Sequence, residues 1–257
     1  MVRMSFALIA MLIGGATASG LASESESEAP AESGKAKVFV GAGAVISSKP
    51  YDGVDSKVYP VPMFGYEGER LYLRGISGGY RLFQRGGWSI GPMLRPRFEG
   101  YEADDSDALT GMDDRDLTLD GGVDLSLKTN WGMFGVQVMT DLLGEHDGQE
   151  LEASYMALFP YAGFYFVPSV ALRWRSDDLV DYYYGVRASE ARAGRPAYSP
   201  GDAISPVARL AIRRKLSDHW GFLLAFQYEW LDDEISDSPI IEDDTMISLL
   251  LGATYTF

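Results

Sequence analysis

The two histidines are the side chains of this sequence best suited to general acid–base chemistry. A hydrolase built on either one would also need a nucleophile and an orienting acid beside it. His219 lies in the segment 215–220, where serine and aspartate favour a turn. His146 lies between Gly144 and Gly148, in a second turn-forming segment. We therefore interpret both as turn residues and predict no catalytic residue and no enzyme.

Two acidic segments are the next candidates for chemistry. Residues 99–116 contain eight acids and residues 232–244 contain seven, so either could hold a divalent cation. The spacing of Asp104, Asp105 and Asp107 does not reproduce an EF-hand loop. A hydrolase that uses only carboxylates is conceivable, but solvation explains acids in loops. We predict no metal and no cofactor.

The charge balance narrows the class of partner. The chain has 37 acidic and 22 basic residues, for a net charge of -15, which argues against nucleic acid. It has no cysteine, so no disulfide holds the fold. Arg173, Arg175, Arg209 and Arg213 are expected on an inward face, paired with wall acids such as Asp120 and Asp124 rather than lining an anion channel. Whether the interior is filled or forms a narrow pore stays open.

The elements that must position these residues are strands with a lipid-facing side. Alternation of apolar and polar residues is clearest at 117–128, 164–174 and 220–230, with aromatic residues at the ends of the last run. The pattern predicts an all-β, antiparallel, up-and-down transmembrane barrel of about 12 strands, within a range of 10–14. The strands are expected near 37–46, 58–66, 69–84, 88–98, 117–128, 131–142, 151–160, 163–175, 181–188, 203–214, 220–231 and 245–257. The tally changes if the run 69–84 bends into two strands at Gly78 and Gly79.

The last strand predicts closure of the barrel. Leu251, Ala253, Tyr255 and Phe257 fall at every second position and would share one face. An edge strand of a soluble sheet would show the same stripe. The ending in Phe257 is also similar to the signal by which bacterial outer-membrane barrels are recognised for assembly, so we assign these four residues to that signal.

The amino terminus predicts export. Arg3, the apolar run 6–13 and the small residues Ala16 and Ala18 form the pattern of a secretory signal peptide. We predict a signal peptide over 1–22, cleaved after Ala18 or Ala22, a disordered acidic leader over 23–36 and a barrel over 37–257. No later stretch reaches the roughly 20 apolar residues of a membrane-spanning helix.

Several blocks of the sequence together resemble one family. The blocks are 49–53, 59–66, 70–72, Gly91 and Pro92 with Arg95 and Arg97, 181–186 with Glu190 and Ala191, 238–241 and 252–257. In these blocks the chain resembles the MltA-interacting protein family, also called MipA/OmpV, of Gram-negative outer-membrane proteins.

The resemblance implies a non-enzymatic barrel in the outer membrane. It implies a scaffold that brings a murein-cleaving lytic transglycosylase together with a peptidoglycan synthase. The expected partners are these two enzymes, outer-membrane lipid and lipopolysaccharide, and the barrel-assembly machinery. A small-solute channel and a surface adhesin or envelope-stress protein stay open as alternatives.

Overall fold

The computed structural model describes residues 36–257, apart from the side chain at position 57, as one antiparallel sheet with two short helices. The strands are β1 (Lys37–Ser47), β2 (Lys57–Glu67), β3 (Leu71–Arg74), β4 (Ser77–Tyr80), β5 (Phe83–Arg85), β6 (Trp88–Arg97), β7 (Thr118–Thr129), β8 (Gly132–Asp141), β9 (Gln149–Met156), β10 (Phe159–Tyr161), β11 (Phe164–Arg175), β12 (Ala203–Lys215), β13 (Trp220–Trp230) and β14 (Thr245–Thr256). The helices are α1 (Asp177–Tyr184) and α2 (Asp233–Ser236). The predicted signal peptide and all but the last residue of the predicted leader lie outside the described residues. Within residues 36–257, neither helix is long and apolar enough to cross a membrane.

The sheet closes on itself through its terminal strands. β14 pairs with β13 on one side and with β1 on the other, with Ala44 opposite Leu251. β4 and β5 both lie against β6, and β9 and β10 both lie against β11, so the wall has twelve barrel strands. The break between β9 and β10 falls where Ala157 lies beside Pro168, a residue without an N–H to donate. The predicted closed, all-β barrel of about 12 strands is confirmed.

Two of the predicted strands are wrong. One run contains two barrel strands and another is not a strand, so the total number of barrel strands is still twelve. The run 69–84 turns at Gly75, not at Gly78 and Gly79, and so supplies two barrel strands. Gly75 has a φ of 59°, which glycine adopts without strain, and its N–H donates to the carbonyl of Phe64 at 2.9 Å.

The predicted strand 181–188 is instead mostly the helix α1. Leu179, Val180, Tyr183 and Tyr184 are its buried residues. Their helical spacing places them on one face, which packs into the protein. Ser176 is the N-cap residue, and Asp177 and Asp178 place negative charge at the positive end of the helix dipole.

The connections divide the barrel into two unlike ends. The end that holds both termini, which we call the turn end, has five short connections: 68–70, 86–87, 130–131, 162–163 and 216–219. The opposite end, which we call the loop end, has the connections 48–56, 75–76, 98–117, 142–148, 176–202 and 231–244. Both acidic segments therefore lie at the loop end.

The outer wall is apolar because each strand alternates between lumen and exterior. Along β14, Ile247, Leu251 and Ala253 face outward, whereas Ser248 and Leu250 are buried inside. Exposed aromatic residues mark the turn end: Trp88, Trp131, Tyr161, Trp220 and Phe257. This arrangement is typical of a wall that faces lipid between two interfaces.

Candidate functional site

The lumen is crossed by a network of ion pairs, which we call the ionic belt. It consists of five arginines and five acids: Arg95, Arg97, Arg173, Arg175, Arg209, Glu99, Asp120, Glu150, Glu152 and Glu229. Because the formal charges of the ten groups balance, the belt carries no net charge.

Glu229 on β13 anchors one side of the belt. Its two carboxylate oxygens accept from Arg173 Nη1 and Arg175 Nη2, each at 2.7 Å. Arg173 also donates to Glu152 at 2.7 Å, and Arg209 donates to the same carboxylate at 2.8 Å. Glu229 and Arg175 are each 0 % exposed, so both charges depend on these partners.

The other side of the belt joins β6, β7 and β9. Arg97 donates to Asp120 at 2.8 Å and to Glu150 at 3.0 Å, and Arg95 donates to Glu150 at 2.7 Å. The strand period explains the convergence, because like charges two residues apart, such as Arg95 and Arg97, point to the same face.

The loop end is closed by a buried apolar cluster, which we call the cap. Its members come from the loops, α1, α2 and the adjoining strand ends: Tyr51, Tyr101, Leu109, Met112, Leu179, Val180, Tyr183, Tyr184, Val186, Ala203, Leu231, Ile235, Ile240 and Met246. The rings of Tyr51 and Tyr101 meet edge to face at 4.8 Å. The Tyr51 hydroxyl donates to the carbonyls of Glu99 and Tyr183 at 3.2 and 3.3 Å. Burial raises the pKa of Tyr51 well above its usual value, so the hydroxyl stays protonated and can donate.

A buried ion pair fastens two loops of the cap to each other. Arg115 Nη2 donates to both oxygens of Glu190, at 3.0 and 3.1 Å. The same carboxylate accepts the backbone N–H groups of Asp113 and Arg187, at 3.0 and 2.9 Å. Burial alone would raise the pKa of Glu190, but these N–H donors and Arg115 hold it below its usual value.

His146 is held in a hydrogen-bond network rather than in a catalytic arrangement. Its Nδ1 accepts the N–H of Gly148 at 3.0 Å, so Nε2 carries the proton and donates to Asp120 at 3.3 Å. Asp120, Asp141 and His146 bring possible metal ligands within 4.8 Å of one another. However, both ring nitrogens already have hydrogen-bond partners. Asp141 accepts a hydrogen bond from the backbone N–H of His146 at 2.8 Å. Within the described residues, His146 therefore offers no free nitrogen to a metal or a substrate.

His219 lies in the predicted turn between β12 and β13. Its Nδ1 donates to the carbonyl of Thr256 at 3.0 Å, and its ring stacks on Tyr255 with centroids 5.2 Å apart. His219 and His146 lie at opposite ends of the barrel, so the structure does not bring them together.

The acidic segments use part of their charge to fold the loops. Asp105 pairs with Lys49 at 3.3 Å, and Asp114 accepts the N–H of Ala103 at 2.7 Å. Asp232 caps α2 through the N–H of Glu234 at 3.0 Å.

The belt contains arginines that the sequence predicted, but their partners differ. Arg173, Arg175 and Arg209 pair with glutamates rather than with the predicted Asp120 and Asp124. The reason is register: Arg173 lies opposite Glu152 on the neighbouring β9, whereas both aspartates lie on the more distant β7.

Sequence reasoning missed the glutamates of the belt. Glu150 and Glu152 alternate with the outward Leu151 along β9, a signal like that of Arg173 and Arg175. Together with Arg95 and Arg97, these residues form three like-charged pairs spaced by two. Such pairs on transmembrane strands could have identified the belt.

Comparison with known proteins decides the family. A family model described as "MltA-interacting protein MipA" matches residues 40–257. The chain belongs to the MltA-interacting protein family. The relative of that name in Escherichia coli K12 is 30% identical over 226 residues, which cover 86% of this chain and 90% of that protein. Outer membrane protein OmpV of Vibrio cholerae serotype O1 is 29% identical over 197 residues, which cover 76% of each chain. The resemblance of the sequence blocks to this family is thus confirmed.

Solved structures with similar coordinates are outer-membrane barrels. The NanC porin aligns with a TM-score of 0.45 at 12% identity, covering 84% of this chain and 98% of that one. An outer membrane channel from Pseudomonas putida F1 aligns with a TM-score of 0.41 at 12% identity, covering 89% and 99%.

The names of the relatives indicate where the barrel lies, and its strand number and turn lengths indicate its orientation. Relatives are named outer membrane proteins, and the sheet of this chain closes into a barrel with an apolar outer wall, so the predicted location in the outer membrane is confirmed. In such barrels an even number of strands places both termini and the short turns on the periplasmic side. The turn end therefore faces the periplasm, and the cap faces the cell exterior.

Proposed function

We propose that this member of the MltA-interacting protein family is a non-enzymatic scaffold. Its barrel anchors in the outer membrane, and its periplasmic face binds a lytic transglycosylase and a peptidoglycan synthase. The observation that carries the proposal is the position of two buried groups of side chains: the ionic belt spans the lumen, and the cap packs at its loop end. The name of the Escherichia coli relative, which says that it interacts with MltA, supports the choice of partner.

The periplasmic face offers short turns rather than long loops. Its five connections range from two to four residues, and Trp131 in one of them is 82% exposed. A partner that binds here contacts the rim of the barrel and the predicted leader 23–36. We propose that both contribute to the binding surface.

The test is capture of partners from periplasmic and membrane extract. The refolded mature barrel, a shortened chain that begins at Lys37 and an unrelated barrel serve as baits. We expect selective retention of a lytic transglycosylase or a peptidoglycan synthase on the mature barrel. Asp113→Ala, at the opposite end, is the matched control and should retain as much.

Planar bilayers separate the scaffold from the channel alternative. We expect the folded barrel to show no stable open state. A steady, ion-selective conductance, together with failure to retain either enzyme, would contradict the scaffold and favour transport.

We also propose that the terminal strand carries the assembly signal. Phe257 is 74% exposed, and its ring meets that of Tyr255 at 5.1 Å on the face that carries Leu251 and Ala253. Phe257→Ala should lower the amount of folded barrel in the outer membrane severalfold. Heat-dependent migration on gels measures the folded fraction, and Thr256→Ala is the control. Equal folded amounts of the two variants would show that Phe257 is not part of the assembly signal.

A further inference from the structure

A cavity occupies the lumen between the ionic belt and the periplasmic end, and we call it the vestibule. Its volume is about 330 Å³. Arg209 and Gln227 lie at its inner limit, and Lys215, Ser217 and Thr256 lie near the mouth. The volume lies within the usual range of small-molecule sites, roughly 300–1,000 Å³.

The vestibule wall is largely apolar. The inward apolar residues that line it are Phe39, Met63, Val167, Ala211, Leu223, Ala225 and Leu250. Met63 and Leu250 belong to one buried apolar cluster on the inner wall, and Val167 belongs to another. A ligand with only charged and polar groups would gain no hydrophobic stabilisation from this apolar surface.

The vestibule also holds excess positive charge. Arg74 pairs with Glu67 at 3.1 Å, and Arg81 contacts the same carboxylate. Arg213 lines the same cavity as Arg74. Lys215 pairs with Asp218 at 3.8 Å, and both line the cavity. The lining contains six cationic side chains and two acidic ones: Lys37, Arg74, Arg209, Arg213, Arg214 and Lys215 against Glu67 and Asp218. The whole chain has a net charge of -15, so the positive charge of the vestibule is a local feature.

An apolar wall beside clustered cations suits one class of ligand. We propose that the vestibule binds an anionic amphiphile from the periplasm, with its acidic head between Arg74 and Arg213. The apolar body packs against Phe39, Met63 and Leu223. The site is independent of the scaffold role and would exist whether or not a protein partner binds the turns.

Two sources could supply such a ligand. A fatty acid presents a carboxylate, whereas a lysophospholipid presents a phosphate, and arginine binds both. Octanoate and octyl phosphate therefore serve as matched probes. Octyl glucoside carries the same alkyl chain without charge, and acetate carries the head without the chain.

The test is calorimetric titration of the full mature barrel in phosphatidylcholine nanodiscs. We expect saturable binding of octanoate, octyl phosphate or both, and at least tenfold weaker binding of octyl glucoside and of acetate. Preference between the two anions identifies the head group. Arg213→Gln should weaken binding of the anion at least tenfold. Arg85→Gln, which removes an exposed cation at the same end, should leave it unchanged.

A second variant keeps the test decisive if Arg213→Gln does not fold. Ala225→Phe fills the vestibule, keeps every charge and should abolish binding of the anion. Heat-dependent migration on gels verifies that each variant is folded. The proposal is overturned if neither anion saturates, if octyl glucoside binds as tightly, or if a folded Ala225→Phe barrel binds like the wild type.

Discussion

Replacing Glu229 by alanine should lower the free energy of unfolding of the barrel by about 3–5 kcal/mol, because it leaves Arg173 and Arg175 buried without their shared carboxylate. Both guanidinium groups would keep the desolvation cost of burial and lose a 2.7 Å partner. Urea unfolding in lipid vesicles, followed by tryptophan fluorescence, measures the change.

An exposed ion pair supplies the control for this prediction. The side chains of Asp113 and Arg187 form a 2.8 Å pair but are 70% and 51% exposed. Asp113→Ala should therefore change stability by less than about 1 kcal/mol. If Glu229→Ala costs no more than this control, the belt does not stabilise the barrel through its ion pairs.

Replacing Glu190 by alanine should loosen the cap while the barrel stays closed. The change removes the shared acceptor of Arg115 and of the N–H groups of Asp113 and Arg187. A loss of about 3 kcal/mol would speed local amide exchange by roughly two orders of magnitude. Hydrogen exchange should increase in 101–115 and 186–198 and stay unchanged in β11 and β12.

The same carboxylate predicts a pH dependence of cap protection. The folded-state pKa of Glu190 lies below its usual value of 4.5, so its contribution is fully present above about 4.5. That contribution is lost as the pH falls through the lower, folded-state pKa. Glu190→Gln should remove this acid-induced step, and the exposed Asp243→Asn should keep it. An unchanged step in Glu190→Gln would assign the acid sensitivity to another group.

The outward face of the barrel could be predicted because strand periodicity is local. Trp220, Phe226 and Trp230 face lipid as their alternation requires, and no other strand has to be known for that prediction. The helix α1 could not be recognised in the same way. Its three consecutive tyrosines favour a strand, whereas packing of Tyr183 and Tyr184 into the cap favours the helix.

The pairs of the ionic belt depend on information that a single strand does not contain. Arg173 meets Glu152 through the register of β9 against β11, and it reaches Glu229 across β12. Composition indicated that inward arginines would find acids. Which acid pairs with each arginine depends on the shear of the closed sheet.

The cap also has a consequence for the order of folding. Tyr51 follows β1, yet it bridges to Ile241, just before β14, and its hydroxyl donates to the carbonyl of Tyr183, 132 positions away. Contacts between residues so distant in sequence carry a large loop-closure entropy until the chain between them is ordered. We expect the cap to form only after β1 has joined β14, so that protection of Tyr51 from solvent marks the last step of barrel maturation.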